Sequence, residues 1–96
     1  MESDYADVAE EFALKAYPNP FSDRLNIEFS LPEDSRVKLE VFSITGQRLA
    51  VLFEGDVKAY ELRNMEFKPA HLAENVVIYK LQTETGSYYG KAVMVR

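Results

Sequence analysis

The sequence has 96 residues, a formal net charge of −5 and no cysteine. This length allows one domain with one core, and the 47% hydrophobic content is typical of a folded globular protein. The lack of cysteine excludes disulfides, thiol catalysis and thiolate metal sites, and no apolar run reaches the roughly 18 residues of a membrane span.

The acidity belongs to an N-terminal leader, residues 1–13, which contains five acidic residues and no Lys or Arg. The remainder holds 11 of the 16 acidic residues against all 11 basic ones, so it is neutral and lacks the basic face that nucleic-acid binding requires. Ser3 or Asp4 can cap a helical turn, but so short a helix is unstable alone. We therefore predict a flexible or partly helical linker from an upstream domain, followed by a folded domain over residues 14–96.

The leader gives way to Tyr17-Pro18-Asn19-Pro20-Phe21. Each proline fixes its own φ near about −65°, removes a backbone N–H and disfavours helix in the preceding residue. The segment is predicted to be a stiff, extended entry outside any helix or central strand. The side chain of Asn19 can close a local turn, while Tyr17 and Phe21 can anchor the bend on an apolar face. These residues alone fit an ordinary proline-rich loop equally well.

From Leu14 onward, apolar and polar residues alternate with a period of two, which predicts half-buried strands. Gly46 lies in a tight connection over residues 43–47, where a hairpin loop often needs a positive φ. Gly55-Asp56 is predicted to end the strand that precedes it. The predicted strands, in chain order, are residues 25–30, a strand centred on 37–41, and residues 48–54, 62–67, 76–83 and 88–95.

Six or seven short strands at intervals of roughly 10–14 residues, without an internal helix, are typical of an immunoglobulin-like antiparallel β-sandwich. The segment 68–75 is predicted to be irregular, with Leu72 as an apolar plug. The predicted core consists of Leu25, Ile27, Phe29, Val37, Leu39, Val41, Leu49, Phe67, Leu72, Val77, Tyr79, Leu81 and Val93.

Few residues are candidates for catalysis or metal binding. His71 is the single histidine, and its position between Ala70 and Leu72 favours a loop residue over a base or ligand. Glu33-Asp34 lacks the spacing of a calcium loop. The sequence therefore predicts a protein that is not an enzyme and needs no cofactor or metal. A small carbohydrate-binding module is a further interpretation, with a stacking platform made by Tyr5, Tyr60, Tyr88 and Tyr89.

Four segments carry a resemblance to a known family. They are the opening Tyr17-Pro18-Asn19-Pro20, the strand and glycine turn over 37–49 with Gly46, the stretch 67–81 with Leu72, and the closing strand 90–96 with its basic residues. Together they resemble the type A C-terminal sorting domain of the type IX (Por) secretion system of Bacteroidota. One departure is Asn75-Val76-Val77, where the family usually has Gly-x-Tyr. Asparagine is the residue that next best tolerates a left-handed conformation, so the turn can persist without the tyrosine.

The resemblance implies a non-catalytic address domain on an upstream cargo protein. Such a domain folds in the periplasm, is recognised by the outer-membrane secretion machinery, and is typically removed by a sortase-like peptidase that attaches the cargo to the cell surface. It implies protein partners and neither a nucleic acid nor a small-molecule substrate. The leader is the expected cleavage site, because frayed linkers enter peptidase active sites and packed strands do not.

The closing strand is the expected recognition element, because an open edge strand can accept a partner strand and can also support a weak homodimer. The main alternative is a structural or adhesive fibronectin-like sandwich within a larger surface protein. A spacer can lie anywhere in such a protein, whereas a sorting label is last, and the sequence ends directly after this strand. The predicted recognition residues are Lys91, Ala92, Val93, Met94, Val95 and Arg96.

Overall fold

The computed structural model describes residues 12–69 and 75–95. Within these ranges every regular element is a strand, so the all-β prediction is confirmed. None of the described residues belongs to a helix long and apolar enough to cross a membrane. The strands are β1 (Ala13–Tyr17), β2 (Leu25–Ser30), β3 (Ser35–Ser43), β4 (Arg48–Val57), β5 (Arg63–Phe67), β6 (Val76–Gln82) and β7 (Ser87–Val93).

The strands form two antiparallel sheets. One has three strands in the order β1-β2-β5, and the other has four in the order β4-β3-β6-β7. The sheets also approach each other at their sides, where β1 contacts β7 and β4 contacts β5. This arrangement is a two-layer sandwich, as the alternating pattern predicted.

The core lies between the two sheets and is filled by the apolar residues of each alternating strand. Ile27 of β2, for example, is fully buried and stands between Ala16 of β1 and Met65 of β5. In the other sheet Leu39 stands opposite Leu81. Most of the predicted core is confirmed, while Leu49 is only partly buried and Leu72 lies outside the described residues. The buried apolar residues are Phe21, Leu25, Ile27, Phe29, Leu31, Val37, Leu39, Val41, Val57, Phe67, Val77, Tyr79, Leu81, Ala92 and Met94.

One predicted core residue is wrong. Val93 is 39% exposed, because its two neighbours, Ala92 and Met94, are the residues that point inward. Its partner across the ladder, Val76, is also only partly buried. Residues 92–95 are all apolar, so the sequence does not show which of them face the core, and the prediction chose Val93.

Strand β4 is longer than predicted. It continues to Val57, which is buried, instead of ending before Gly55. Gly55 pairs with Val37 of β3, so the partner strand carries the ladder past the glycine. The other predicted strand ends lie within two residues of those in the structure. β1 is not among the predicted strands, and it begins at Ala13, one residue before the predicted domain boundary.

Two predictions about backbone conformation have different outcomes. Gly46 has a φ of 98°, and its N–H donates to Ser43 O at 3.0 Å, as expected for the glycine of a tight turn. Asn75 does not take the left-handed conformation expected of it; the one non-glycine residue with positive φ in the described ranges is Tyr60, at 63°. The carbonyl oxygen of Asn75 instead accepts a hydrogen bond from Met94 N–H at 2.6 Å.

Candidate functional site

The side chain of Asn19 connects the proline-rich entry to β7. Its Oδ1 atom accepts a hydrogen bond from Val93 N–H at 3.0 Å, and its Nδ2 atom donates to Lys91 O at 3.3 Å. A primary amide presents one acceptor and two donors, so it can take the place of one peptide group of a neighbouring strand. The prediction that this side chain closes a local turn is corrected, because these two bonds are to the far end of the chain.

Phe21 extends the same connection with its backbone. Its N–H donates to Val93 O at 2.9 Å, and its carbonyl oxygen accepts from Val95 N–H at 2.8 Å. This pairing is a parallel bridge between Phe21 and Met94. The Phe21 ring is buried in the core, with 1% exposure. We call Asn19 and Phe21, with the four hydrogen bonds that they make to residues 91–95, the terminal clamp.

The terminal clamp occupies part of the backbone edge that the sequence analysis predicts to be recognised. β7 is the last strand in the order of its sheet. Four backbone groups along its outer edge and just beyond its end are nevertheless paired: Lys91 O, Val93 N, Val93 O and Val95 N. The prediction of an open backbone edge over 91–96 is therefore wrong from Lys91 O to Val95 N, and Arg96 lies outside the described residues. The role of this segment in recognition stays a prediction. The pairing partner precedes β7 by about 70 positions, and no local pattern reveals it.

The side chains of the clamped segment remain partly accessible. Ala92 and Met94 are buried in the core, whereas Lys91, Val93 and Val95 are exposed. Successive residues of a strand point to opposite faces, so the exposed three, which stand at alternate positions, lie on one face. The segment thus presents a basic residue followed by two apolar ones on a backbone that is held in place.

Tyr17 connects the entry segment to the outer face of the three-stranded sheet. Its hydroxyl donates to Glu28 Oε1 at 3.0 Å and accepts from Asn64 Nδ2 at 2.7 Å, which joins β1, β2 and β5. Lys15 Nζ lies 3.5 Å from Glu28 Oε2. The hydrogen bond from Tyr17 is the main cause that holds the pKa of Glu28 below its usual range. Of the two predicted apolar anchors, Phe21 is therefore confirmed, and Tyr17 is corrected to an anchor in a polar network.

The Tyr-Pro-Asn-Pro motif and the terminal strand thus form one structural unit. Tyr17 bonds to the three-stranded sheet, whereas Asn19 bonds to the four-stranded sheet. Pro18 and Pro20 are exposed, and the two peptide bonds that precede them are cis. In the sequence these elements are two separate motifs. The amide of Asn19 links them through its two hydrogen bonds to β7, which the sequence analysis did not predict.

The predicted sugar-stacking platform cannot include both Tyr88 and Tyr89 on one face. Tyr88 and Tyr89 are neighbours on β7 and point to opposite faces of the sheet. The Tyr88 ring lies against Phe12 with centroids 4.6 Å apart, whereas Lys80 Nζ lies 5.9 Å from the centroid of the Tyr89 ring. Tyr60 lies in the connection between β4 and β5, and Tyr5 falls outside the described residues.

The described residues contain no group of three or more His, Asp or Glu side chains arranged to hold a metal ion. His71 lies outside the described ranges. Glu33 and Asp34 lie in the exposed turn between β2 and β3, where Asp34 Oδ1 accepts a hydrogen bond from Ala59 N–H at 2.8 Å. The carboxylate of Asp34 therefore stabilises this turn.

Comparison with models of known protein families gives a match over most of the chain. The model of the secretion system C-terminal sorting domain family matches residues 15–95. The match includes Asn19 and Phe21 as well as the strand that they hold. A comparison with curated proteins found no match, and a comparison with solved structures found none either.

Proposed function

The chain belongs to the secretion system C-terminal sorting domain family, and from this membership we propose that it directs an attached cargo protein through the type IX secretion machinery. The observation that carries the proposal is the extent of the family match, residues 15–95, which covers both halves of the terminal clamp. Membership confirms the resemblance found in the sequence. It also implies export to the outer membrane or cell surface. In the proposed route the domain folds in the periplasm, and an upstream cargo is attached to it.

The recognised element is the face of residues 91–96. Because the terminal clamp occupies the outward backbone groups at Lys91, Val93 and Val95, strand addition over this segment would first have to displace Asn19 and Phe21. Recognition through the exposed side chains needs no such displacement. A partner that fits has an apolar surface for the two valines and an acidic group for Lys91.

The domain acts by protein–protein recognition and performs no bond-making step. The peptidase that separates it from the cargo cuts within the leader, on the N-terminal side of Ala13, where the ladder begins. Cutting inside the sandwich would first require a paired strand to open, which costs free energy.

The test is a fusion of a signal peptide, a reporter and the full chain, expressed in a host with an active type IX system. We expect the reporter on the cell surface or in the medium, and in the periplasm of the same host without the secretion machinery. Periplasmic retention of a folded fusion in the active host would refute the sorting function and favour the structural spacer.

Deleting the terminal segment is a poor probe, because it removes Ala92 and Met94 from the core. The sharper variants are Lys91→Glu and Val93→Ser, which change exposed side chains only. Lys58→Glu, on an exposed residue that follows β4, is the charge-matched control. Export that is lost in the first two and retained in the control supports recognition of this face. Export that is unchanged in all three would reject the face as the recognised element and leave the sorting function itself standing.

A further inference from the structure

A cavity of about 150 Å³ lies at one end of the sandwich, beside the beginning of β1. Its walls come from the turn between β2 and β3, from the turn between β6 and β7, and from the rings of Phe12 and Tyr88. An apolar cavity of about 150 Å³ in another protein accepts benzene. The space is therefore sufficient for one small planar group.

Three acidic residues, Glu33, Asp34 and Glu84, are among those that line this cavity, and no Lys or Arg is among its lining residues. Two of them are fixed by backbone donors: Asp34 Oδ1 accepts from Ala59 N–H at 2.8 Å, and Glu84 Oε2 accepts from Arg36 N–H at 3.3 Å. A carboxylate has acceptor capacity for about four hydrogen bonds, so both can bind a further donor.

The rings of Phe12 and Tyr88 form an aromatic wall of the cavity. The rings of Phe12 and Tyr88 have centroids 4.6 Å apart and are tilted by 44°. The face of an aromatic ring attracts a cation through its quadrupole, and a guanidinium group can also stack on it. Arg36, a basic residue of the neighbouring groove, has its guanidinium directed to Asp56, with NH1 at 3.6 Å from Asp56 Oδ1.

We propose that this cavity binds the guanidinium group of an arginine in an extended segment of a partner protein. The aromatic wall receives the plane of the group, and the carboxylates receive its N–H donors. A guanidinium presents five donors in a rigid fork, so it satisfies two carboxylates and an aromatic face together, which an ammonium cannot do as well. Charge complementarity selects a basic partner segment here, whereas the face at Lys91 selects an acidic one.

The probe is arginine capped at both ends, titrated into the isotope-labelled full chain and followed by NMR. We expect saturable shifts of the amides of residues 83–88 and of Ser35, with millimolar affinity. Capped citrulline has the same shape without the charge, and it is expected to bind about tenfold more weakly. Absence of saturable binding, or equal binding of citrulline, would overturn the proposal.

Variants locate the binding. Glu84→Gln and Tyr88→Leu are each expected to weaken the arginine affinity by about five- to tenfold, and Glu54→Gln, an exposed acid of β4, is the charge-matched control. Glu33→Gln replaces Tyr88→Leu as the second variant if the latter does not fold, since Glu33 is exposed in a turn. Equal weakening by the Glu54 change would show that the signal reports overall charge, and this also overturns the proposal.

Discussion

Val93 N–H donates a hydrogen bond to Asn19 Oδ1 at 3.0 Å, although 74 positions separate the two residues in the chain. Asn19 Nδ2 also donates to Lys91 O, so a single side chain makes two hydrogen bonds of the kind that a neighbouring strand would make. Closing so large a loop costs conformational entropy, which the packing of both sheets must offset. The family motif at the start of the domain is thus a structural requirement of the strand at its end.

Replacing Asn19 by alanine removes both hydrogen bonds and exposes the end of β7. Each net bond is worth about 0.5–1.5 kcal/mol, so the free energy of unfolding is expected to fall by about 1–3 kcal/mol. Chemical denaturation measures this loss, and hydrogen exchange at Val93 should accelerate. The matched control is Asn26→Ala, which removes one long bond to Tyr17 O at 3.5 Å. A loss at Asn26 as large as that at Asn19 would contradict a specific role for the clamp.

Replacing Gly90 by alanine is expected to destabilise the domain. A Cβ atom at this position would overlap the ring of Tyr79, which stands opposite Gly90 in the ladder and is almost buried. Such overpacking typically costs about 1–3 kcal/mol. Thermal and denaturant unfolding check the value.

The control for this change is Gly86→Ala, whose Cβ would meet the nearest atom, the Tyr88 hydroxyl oxygen, at an ordinary 3.7 Å. Combining Gly90→Ala with Tyr79→Leu tests the cause. If the contact with the ring is responsible, the double variant loses less than the sum of the two single changes. Additive losses would assign the cost of the Gly90 change to the backbone instead.

Replacing Tyr60 by asparagine is expected to stabilise the domain. Tyr60 has a φ of 63°, a conformation that costs an ordinary L-residue about 1–2 kcal/mol and costs asparagine less. Its side chain is 60% exposed, so little burial is lost. We expect a gain of about 0.5–1 kcal/mol in the free energy of unfolding. Tyr89→Asn, an equally exposed position in strand β7, should destabilise, and a loss at Tyr60 would show that its ring is needed.

The stability of the domain should fall in acid partly through Glu28. The Tyr17 hydroxyl, Asn64 and Lys15 favour its ionised form and lower its pKa below the ordinary value of 4.5, against the opposing effect of desolvation. A carboxyl whose pKa is lower in the folded state stabilises the protein above its unfolded pKa. This contribution is lost as the pH falls through the folded pKa.

The measurement is the free energy of unfolding from neutral pH down through the carboxyl range. Tyr17→Phe removes the largest cause of the shift, so the loss of stability attributable to Glu28 should become smaller in this variant. Tyr60→Phe removes a hydroxyl elsewhere and serves as the control. An acid profile of the Tyr17 variant that matches wild type would show that the Tyr17–Glu28 bond does not contribute.

The alternating residues of β2, β3 and β6 determine the all-β class, the approximate strand positions and most of the core, because a period of two places every second side chain on one face. The four motif segments likewise identify the family from local residue patterns, and Gly46 identifies its turn. Local signals are less informative where the strand partner decides the outcome. Gly55 continues β4 because Val37 pairs with it, and Val93 faces outward because Ala92 and Met94 take the inward positions.

The sequence by itself thus determined the class of fold, the family and the chain positions of the motif and of the closing strand. Only the tertiary structure decided that Asn19 and Phe21 pair with that strand, that its backbone edge is occupied over 91–95, and that Phe12 and Tyr88 form one wall of an acidic cavity. The physical reason is that these contacts join residues about 70 or more positions apart. Periodicity and turn propensities act over a few residues, whereas such contacts exist only after two sheets have packed face to face.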